Sequence, residues 1–153
     1  MNSIEISENK SMKLTNVLIR EINVEVDEII TEVERMENYI KSKGMLPIGP
    51  LVQKMSCSID ENGQAKWKIF ILRQVNNYIH HVEKPYFFEK LIRIKKAMYA
   101  HYVGPEEKIR LAHEKIKIIA FEKDIDIADE SYTIYVGQEN DNVIVDVFVE
   151  KKD

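Results

Sequence analysis

Cysteine is almost absent from this chain of 153 residues, since Cys57 is the only one. A single cysteine cannot form an intrachain disulfide, which excludes a small secreted scaffold held together by disulfides. The N-terminal segment lacks the apolar core of a signal peptide, and no run of about 20 apolar residues is present that could span a bilayer. We therefore expect a cytoplasmic protein that does not associate with a membrane.

The motifs of common catalytic and nucleotide-binding sites are absent as well. The sequence contains no GxGxxG, Walker loop, HExxH or GxSxG, and its four histidines lack the spacing of a metal site. It therefore predicts no cofactor, no metal and no catalytic residue, and an enzyme is the less favoured class. The 26 acidic and 22 basic residues leave a net charge of -4, so we expect no direct binding of nucleic acid.

What the chain does contain is a pattern that recurs after 80 residues. In each half a strand-like run leads into an amphipathic helix, and two further strand-like runs follow. The apolar stripe of the first helix includes Ile29 and Met36, and adding 80 to these numbers gives Ile109 and Ile116 in the second helix. Each half therefore has the predicted order β-α-β-β, and the chain is a tandem repeat.

This order predicts an α+β fold, in which the strands form an antiparallel sheet and both helices pack on one of its faces. The length and the 44% apolar content suit one domain, over residues 14–153. Residues 1–13 are polar and are expected to be flexible. We place the first repeat at about 14–76, a linker at about 77–84 and the second repeat at about 85–150.

Three segments suggest a family: AMYAHYVGPEEKIRLAHEKI, ESYTIYV and VDVFVE. They resemble the gyrase-inhibitor-like (GyrI-like) domain, also known as the effector-binding domain of multidrug-sensing transcriptional regulators. The resemblance runs from about Leu14 to Glu150. It implies two β-α-β-β repeats, related by a pseudo-twofold axis, that enclose a groove on the sheet face away from the helices. We expect no helix-turn-helix module in this chain, which in this respect resembles the stand-alone members.

The resemblance also implies a ligand site. In the family, an acidic side chain on the last strand often meets cationic aromatic ligands, and this position corresponds to Asp146, followed by the aromatic Phe148. The chain departs from the family pattern at two positions: Glu106 follows Gly-Pro where an aromatic residue is frequent, and Glu150 stands where proline is usual.

Alternation along the last strand assigns the two faces. Four valines share the side expected to pack on a helix, and the opposite side carries Ile144, Asp146 and Phe148. If the even-numbered residues of 132–136 face the helix, Tyr135 lies on the same side of the sheet as Asp146. The alternative for Asp146 is an exposed position that only keeps the strand soluble.

The repeat relates Lys68 to Asp146 and Phe70 to Phe148. Lys68 either meets an anionic part of a ligand or neutralises Asp146 and closes the groove. Tyr99 and His101 are further candidates for the groove wall, although each aromatic residue alone could simply pack in the core. The candidate ligand-binding residues are therefore Asp146, Phe148, Tyr135, Lys68, Phe70, Tyr99, His101 and Ile144.

The function we expect is non-enzymatic binding of a small amphipathic or cationic molecule in the groove between the repeats, by a stand-alone sensor or sequestering protein. One alternative is a protein-interaction or inhibitor module whose groove is closed. A second, less favoured alternative is a small hydrolase that uses Asp146 as a general base. We expect a monomer or a homodimer, and His113 is expected to be a core histidine of the second helix.

Overall fold

The structure is a computed structural model that describes residues 3–152. Its elements follow the order β-α-β-β twice, which confirms the α+β class. A short 3-10 helix, Glu106–Lys108, precedes the second α-helix. The strands and helices are β1 (Ser3–Ile22), α1 (Ile29–Ser42), β2 (Pro47–Ile59), β3 (Ala65–Val75), β4 (Tyr86–Gly104), α2 (Arg110–Glu122), β5 (Glu130–Glu139) and β6 (Asn142–Glu150).

The chain divides into two compact units. The first unit is Lys13–Ile92, and the second combines residues 3–12 with residues 93–152. The structure places residues 3–13 in β1 and so differs from the flexible N-terminus that their polar composition predicted. Ile4 and Ile6 explain the difference, because both pack against the core of the second unit.

In the first unit, β3 pairs antiparallel with both β1 and β2. The helix α1 lies against one face of these strands, where Met36 and Ile40 are fully buried with Leu18 and Ile71. These two helix residues are one turn apart, which is the spacing that the amphipathic pattern predicted.

In the second unit, β6 pairs antiparallel with β4 and with β5. One face of β6 meets α2, through the side chains of Ala112 and Ile116. The strand residues in this core are the four valines predicted to face a helix, namely Val143, Val145, Val147 and Val149. Since side chains alternate along a strand, Asp146 lies on the face away from α2.

The helix-side face of β5 differs from our prediction. Tyr135 is paired with Val145 and packs against the helix-side core, whereas Ile134 is paired with Asp146. The predicted position of Tyr135 beside Asp146 is therefore wrong. The reason is that β5 carries large apolar or aromatic residues at both alternating positions, so alternation alone does not identify its buried face.

Neither helix of residues 3–152 has the length and apolar character needed to traverse a lipid bilayer.

Candidate functional site

Three polar side chains meet on the face of the second unit that lies away from α2. Tyr99 and His101 are two residues apart on β4 and therefore point to the same side. In the antiparallel register, His101 is paired with Asp146 of β6 and Tyr99 is paired with Phe148. The two strands thus bring a phenol, an imidazole and a carboxylate together, and we call Tyr99, His101 and Asp146 the polar cluster.

A single carboxylate oxygen organises the polar cluster. The Tyr99 hydroxyl donates a hydrogen bond of 2.7 Å to Asp146 Oδ1, and His101 Nδ1 lies 2.8 Å from the same oxygen. The side chains of His101 and Asp146 are 35% and 23% exposed. Both contacts use Oδ1 of a carboxylate that is partly exposed.

The environment keeps Tyr99 protonated. Burial raises the pKa of its phenol far above the ordinary value of 10, and the hydrogen bond to Asp146 and the nearby negative charges of Asp146 and Glu5 raise it further. Tyr99 is therefore a hydrogen-bond donor at neutral pH. It holds the Asp146 carboxylate in place without supplying a positive charge.

Aromatic rings adjoin the polar cluster. The rings of Tyr99 and Phe148 are 5.1 Å apart between centroids, in a tilted arrangement. Tyr132 of β5 is paired with Phe148, and both are buried. On the other side of Asp146 along β6, Ile144 is paired with Val103 of β4 and is half-buried. The carboxylate therefore sits between an aromatic and an aliphatic surface.

A lysine that sequence reasoning did not single out completes the site. Lys10 Nζ lies 5.6 Å from the centroid of the Tyr99 ring, within reach of a cation–π interaction. Lys10 was missed because it lies in the segment expected to be flexible. The alternation of Ile4 and Ile6 with polar residues was the signal that this segment is a strand.

Two candidates, Lys68 and Phe70, lie in the first unit. They are two residues apart on β3 and therefore share a face, as predicted. Phe70 is paired with Lys54, whose Nζ lies 5.6 Å from the Phe70 ring centroid. Lys68 is exposed and is paired with Ser56. A charge pair between Lys68 and Asp146 stays a prediction.

The structure therefore brings five of the candidates to one face of the second unit: Asp146, Tyr99, His101, Phe148 and Ile144. Tyr135 is excluded from this face by its pairing with Val145, and burial raises its pKa.

Metal ligands are not clustered in the described chain. Among residues 3–152 no group of three or more His, Cys, Asp or Glu side chains could hold a metal ion. His113 lies on α2, with Nε2 3.4 Å from Thr133 Oγ1. Burial lowers its pKa, with a smaller contribution from the charge of Lys117, as expected for a histidine at the edge of the core.

Comparisons with known proteins locate the fold but not the function. No protein-family model matches the chain, and no curated protein matches it. Among solved structures it is similar to a chain of the cryo-EM structure of an EcmrR-DNA complex in EcmrR-RPo, with a TM-score of 0.67 and 13% identity. The match covers 98% of this chain and 58% of that chain. A likeness at this identity shows the fold alone.

Proposed function

We propose that this chain is a GyrI-like ligand-binding domain, with a sensing or sequestering role, which holds a small cationic or amphipathic molecule on the β4–β6 face of its second unit. One observation carries the proposal: the Asp146 carboxylate is partly exposed, is fixed through Oδ1 by Tyr99 and His101, and lies beside an aromatic pair. The likeness to the EcmrR chain supports the fold on which the proposal depends.

The chemistry of the polar cluster favours binding over conversion. Asp146 already accepts a hydrogen bond from Tyr99 and contacts His101, so its carboxylate is held in one orientation before a ligand arrives. An orientated carboxylate favours a ligand ammonium or amidine group. Tyr99 stays protonated and so does not act as a base at neutral pH.

Affinity and orientation come from different parts of the proposed site. Apolar area removed from water contributes about 25 cal/mol per Å², so the half-buried side chains of Tyr99 and Ile144 provide the apolar part of the binding free energy. The partly solvated Asp146 carboxylate contributes a smaller, charge-dependent part. We therefore expect broad selectivity among molecules that combine a flat apolar body with a positive group.

The test compares the binding of a flat aromatic amidine cation, benzamidine, to the wild-type chain, to Asp146→Asn and to the control Asp141→Asn. Asp141 is exposed in the β5–β6 turn, so its replacement removes the same charge from the same hairpin. By calorimetry, we expect Asp146→Asn to weaken binding about tenfold and Asp141→Asn to bind like wild type. Equal binding by wild type and Asp146→Asn would remove the proposed role of the carboxylate.

A second candidate function is an interaction module, for which the β2–β3 hairpin of the first unit is the relevant surface. Trp67 is 56% exposed and Ile59 is 74% exposed. Cys57 is paired with Trp67 and lies two residues from Ile59, so the two apolar side chains share a face. If this face joins two copies of the chain, sedimentation should show a concentration-dependent mass for wild type that Trp67→Gln abolishes.

A further inference from the structure

Positive and negative groups flank a single tyrosine in the proposed site. Lys10 Nζ lies over the ring of Tyr99, at 5.6 Å from the centroid, and the hydroxyl of the same side chain is hydrogen bonded to Asp146 Oδ1. Lys10 is exposed and Asp146 is partly exposed, so both charges can be reached from solvent. The two charges therefore contact the same tyrosine side chain, one at its ring and the other at its hydroxyl.

We propose that Lys10 is a specificity-determining residue and that the site prefers zwitterionic aromatic molecules to simple cations. In such a complex the ligand ammonium meets Asp146, the ligand ring packs at Tyr99, and the ligand carboxylate meets Lys10. This inference rests on the proposed function and names the class of ligand for the same site.

The reason is electrostatic. A simple cation that stacks on Tyr99 competes with the ammonium group of Lys10 for the same ring face and is repelled by it. A zwitterion pairs its carboxylate with Lys10 and its ammonium with Asp146, so no charge at the site is left opposite a like charge. The charge of Glu5 also acts on Tyr99, so Glu5 is a second negative group that attracts the ligand ammonium. Lys10 is still needed to attract the ligand carboxylate.

Three probes with the same indole ring separate these contributions: tryptamine carries the ammonium alone, indole-3-propionate the carboxylate alone, and tryptophan carries both. Their affinities are measured by calorimetry, and amide shifts of β4 and β6 residues in ¹⁵N spectra locate the bound ring. For the wild-type chain we expect tryptophan to bind most tightly, tryptamine next and indole-3-propionate least. The differences should be about threefold per step, as for partly exposed charge pairs.

Variants at Lys10 test whether this residue causes the preference for tryptophan over tryptamine. Lys10→Met keeps the length of the side chain and removes its charge, so it should weaken tryptophan binding and strengthen tryptamine binding, each by about threefold. Lys10→Arg keeps the charge and should retain the wild-type order. Lys13→Met is the matched control, since Lys13 is also an exposed lysine of β1, and it should leave all three affinities unchanged.

The outcomes distinguish the inference from the function on which it rests. If wild type prefers tryptamine to tryptophan, or if Lys10→Met changes both affinities alike, Lys10 does not select the ligand. The proposed function then still stands, provided that Asp146→Asn weakens tryptamine binding. If no probe binds at millimolar concentration, or if Asp146→Asn alters none of the affinities, the proposed function fails and the inference fails with it.

Discussion

The Tyr99 hydroxyl reaches Asp146 diagonally across two strands. Tyr99 is paired with Phe148 in the register of β4 and β6, yet its hydrogen bond of 2.7 Å goes to the carboxylate two residues further back along β6. His101 is paired with Asp146 directly. Long side chains commonly make such diagonal contacts in antiparallel pairs. The Asp146 carboxylate therefore contacts both His101, its paired residue, and Tyr99, its diagonal neighbour. A substitution at Asp146 changes the surroundings of both side chains.

The first prediction concerns the titration of Tyr99. Its pKa is raised chiefly by burial and next by Asp146, so Asp146→Asn should lower the midpoint without returning it to 10, because burial persists. The ring ¹³C resonance, assigned with Tyr99→Phe, gives the midpoint. A Tyr99 midpoint that is the same in both proteins would contradict the assigned hydrogen bond.

The raised pKa of Tyr99 also makes the stability of the fold depend on pH. Because folding raises the pKa of Tyr99, the folded chain retains this proton above pH 10 while the unfolded chain loses it. The contribution of Tyr99 is therefore fully present below pH 10 and is lost as the pH rises through the folded-state value. In alkaline urea denaturation, Tyr99→Phe should lose less stability than wild type.

The second prediction tests the packing of α2. Ile116 is fully buried against the valine face of β6, whereas Ile118, two residues later, is 57% exposed. Ile116→Ala should lower the free energy of unfolding by about 2–5 kcal/mol, since it removes buried methyl groups and leaves a cavity. Ile118→Ala makes the same chemical change at the surface and should have an effect within about 0.5 kcal/mol. Urea denaturation of both variants provides the comparison, and similar losses would show that the helix presents a different face.

The elements that could be predicted from the sequence are those with one clear buried face. The four valines of β6 occupy every second position, and Asp146 lies among the residues between them, on the other face of the strand. This pattern identified the helix side without ambiguity. In β5, Ile134 and Tyr135 are both suited to burial, so no pattern separated the two faces. The structure places Tyr135, not Ile134, on the helix side.

The polar cluster could be predicted only in part. Asp146 was singled out by its position among apolar neighbours, and Tyr99 and His101 were expected near the same groove. Their hydrogen bonds depend on the register between β4 and β6, whose contacting residues are 45 and 47 positions apart in the chain. Local alternation assigns a face but does not determine which residues of two distant strands are paired. For the same reason, the position of Lys10 over Tyr99 could not be read from the sequence.

The third prediction concerns an exposed carboxylate in the first unit. Glu83 forms a hydrogen-bonded ion pair of 2.6 Å with Lys43 and accepts a hydrogen bond from the Tyr39 hydroxyl. Lys43 is the larger cause and Tyr39 the next, and together they lower the pKa of Glu83 to about 2. A depressed carboxyl pKa stabilises the fold above the ordinary value of 4.5, and this contribution is lost as the pH falls toward about 2.

Glu83→Gln should therefore destabilise the chain near neutral pH, and its deficit relative to wild type should shrink between pH 4.5 and pH 2.5. Urea midpoints across this range give the deficit. Glu61→Gln, at an exposed glutamate of the β2–β3 turn, is the control and should show no comparable change with pH. If the deficit of Glu83→Gln does not change with pH, the contacts with Lys43 and Tyr39 do not lower the pKa of Glu83.

The fourth prediction concerns His113 on α2. Burial is the main cause that lowers its pKa below 6.5, and the charge of Lys117 lowers it further. Between the folded-state value and 6.5 the unfolded chain binds the proton and the folded chain does not. Stability is therefore highest above pH 6.5 and falls as the pH decreases toward the folded-state pKa of His113.

Replacement of the imidazole should remove this pH dependence. His113→Gln should lose less stability than wild type when the pH is lowered from 7.5 to 5, a range that lies above the titration of Glu83. The exposed His81 provides the matched variant His81→Gln, which should follow wild type. The imidazole ¹H resonances give the His113 midpoint independently. If that midpoint lies at or above 6.5, His113 is solvated or paired with an acid, and the packing of α2 against Thr133 of β5 would need to be revised.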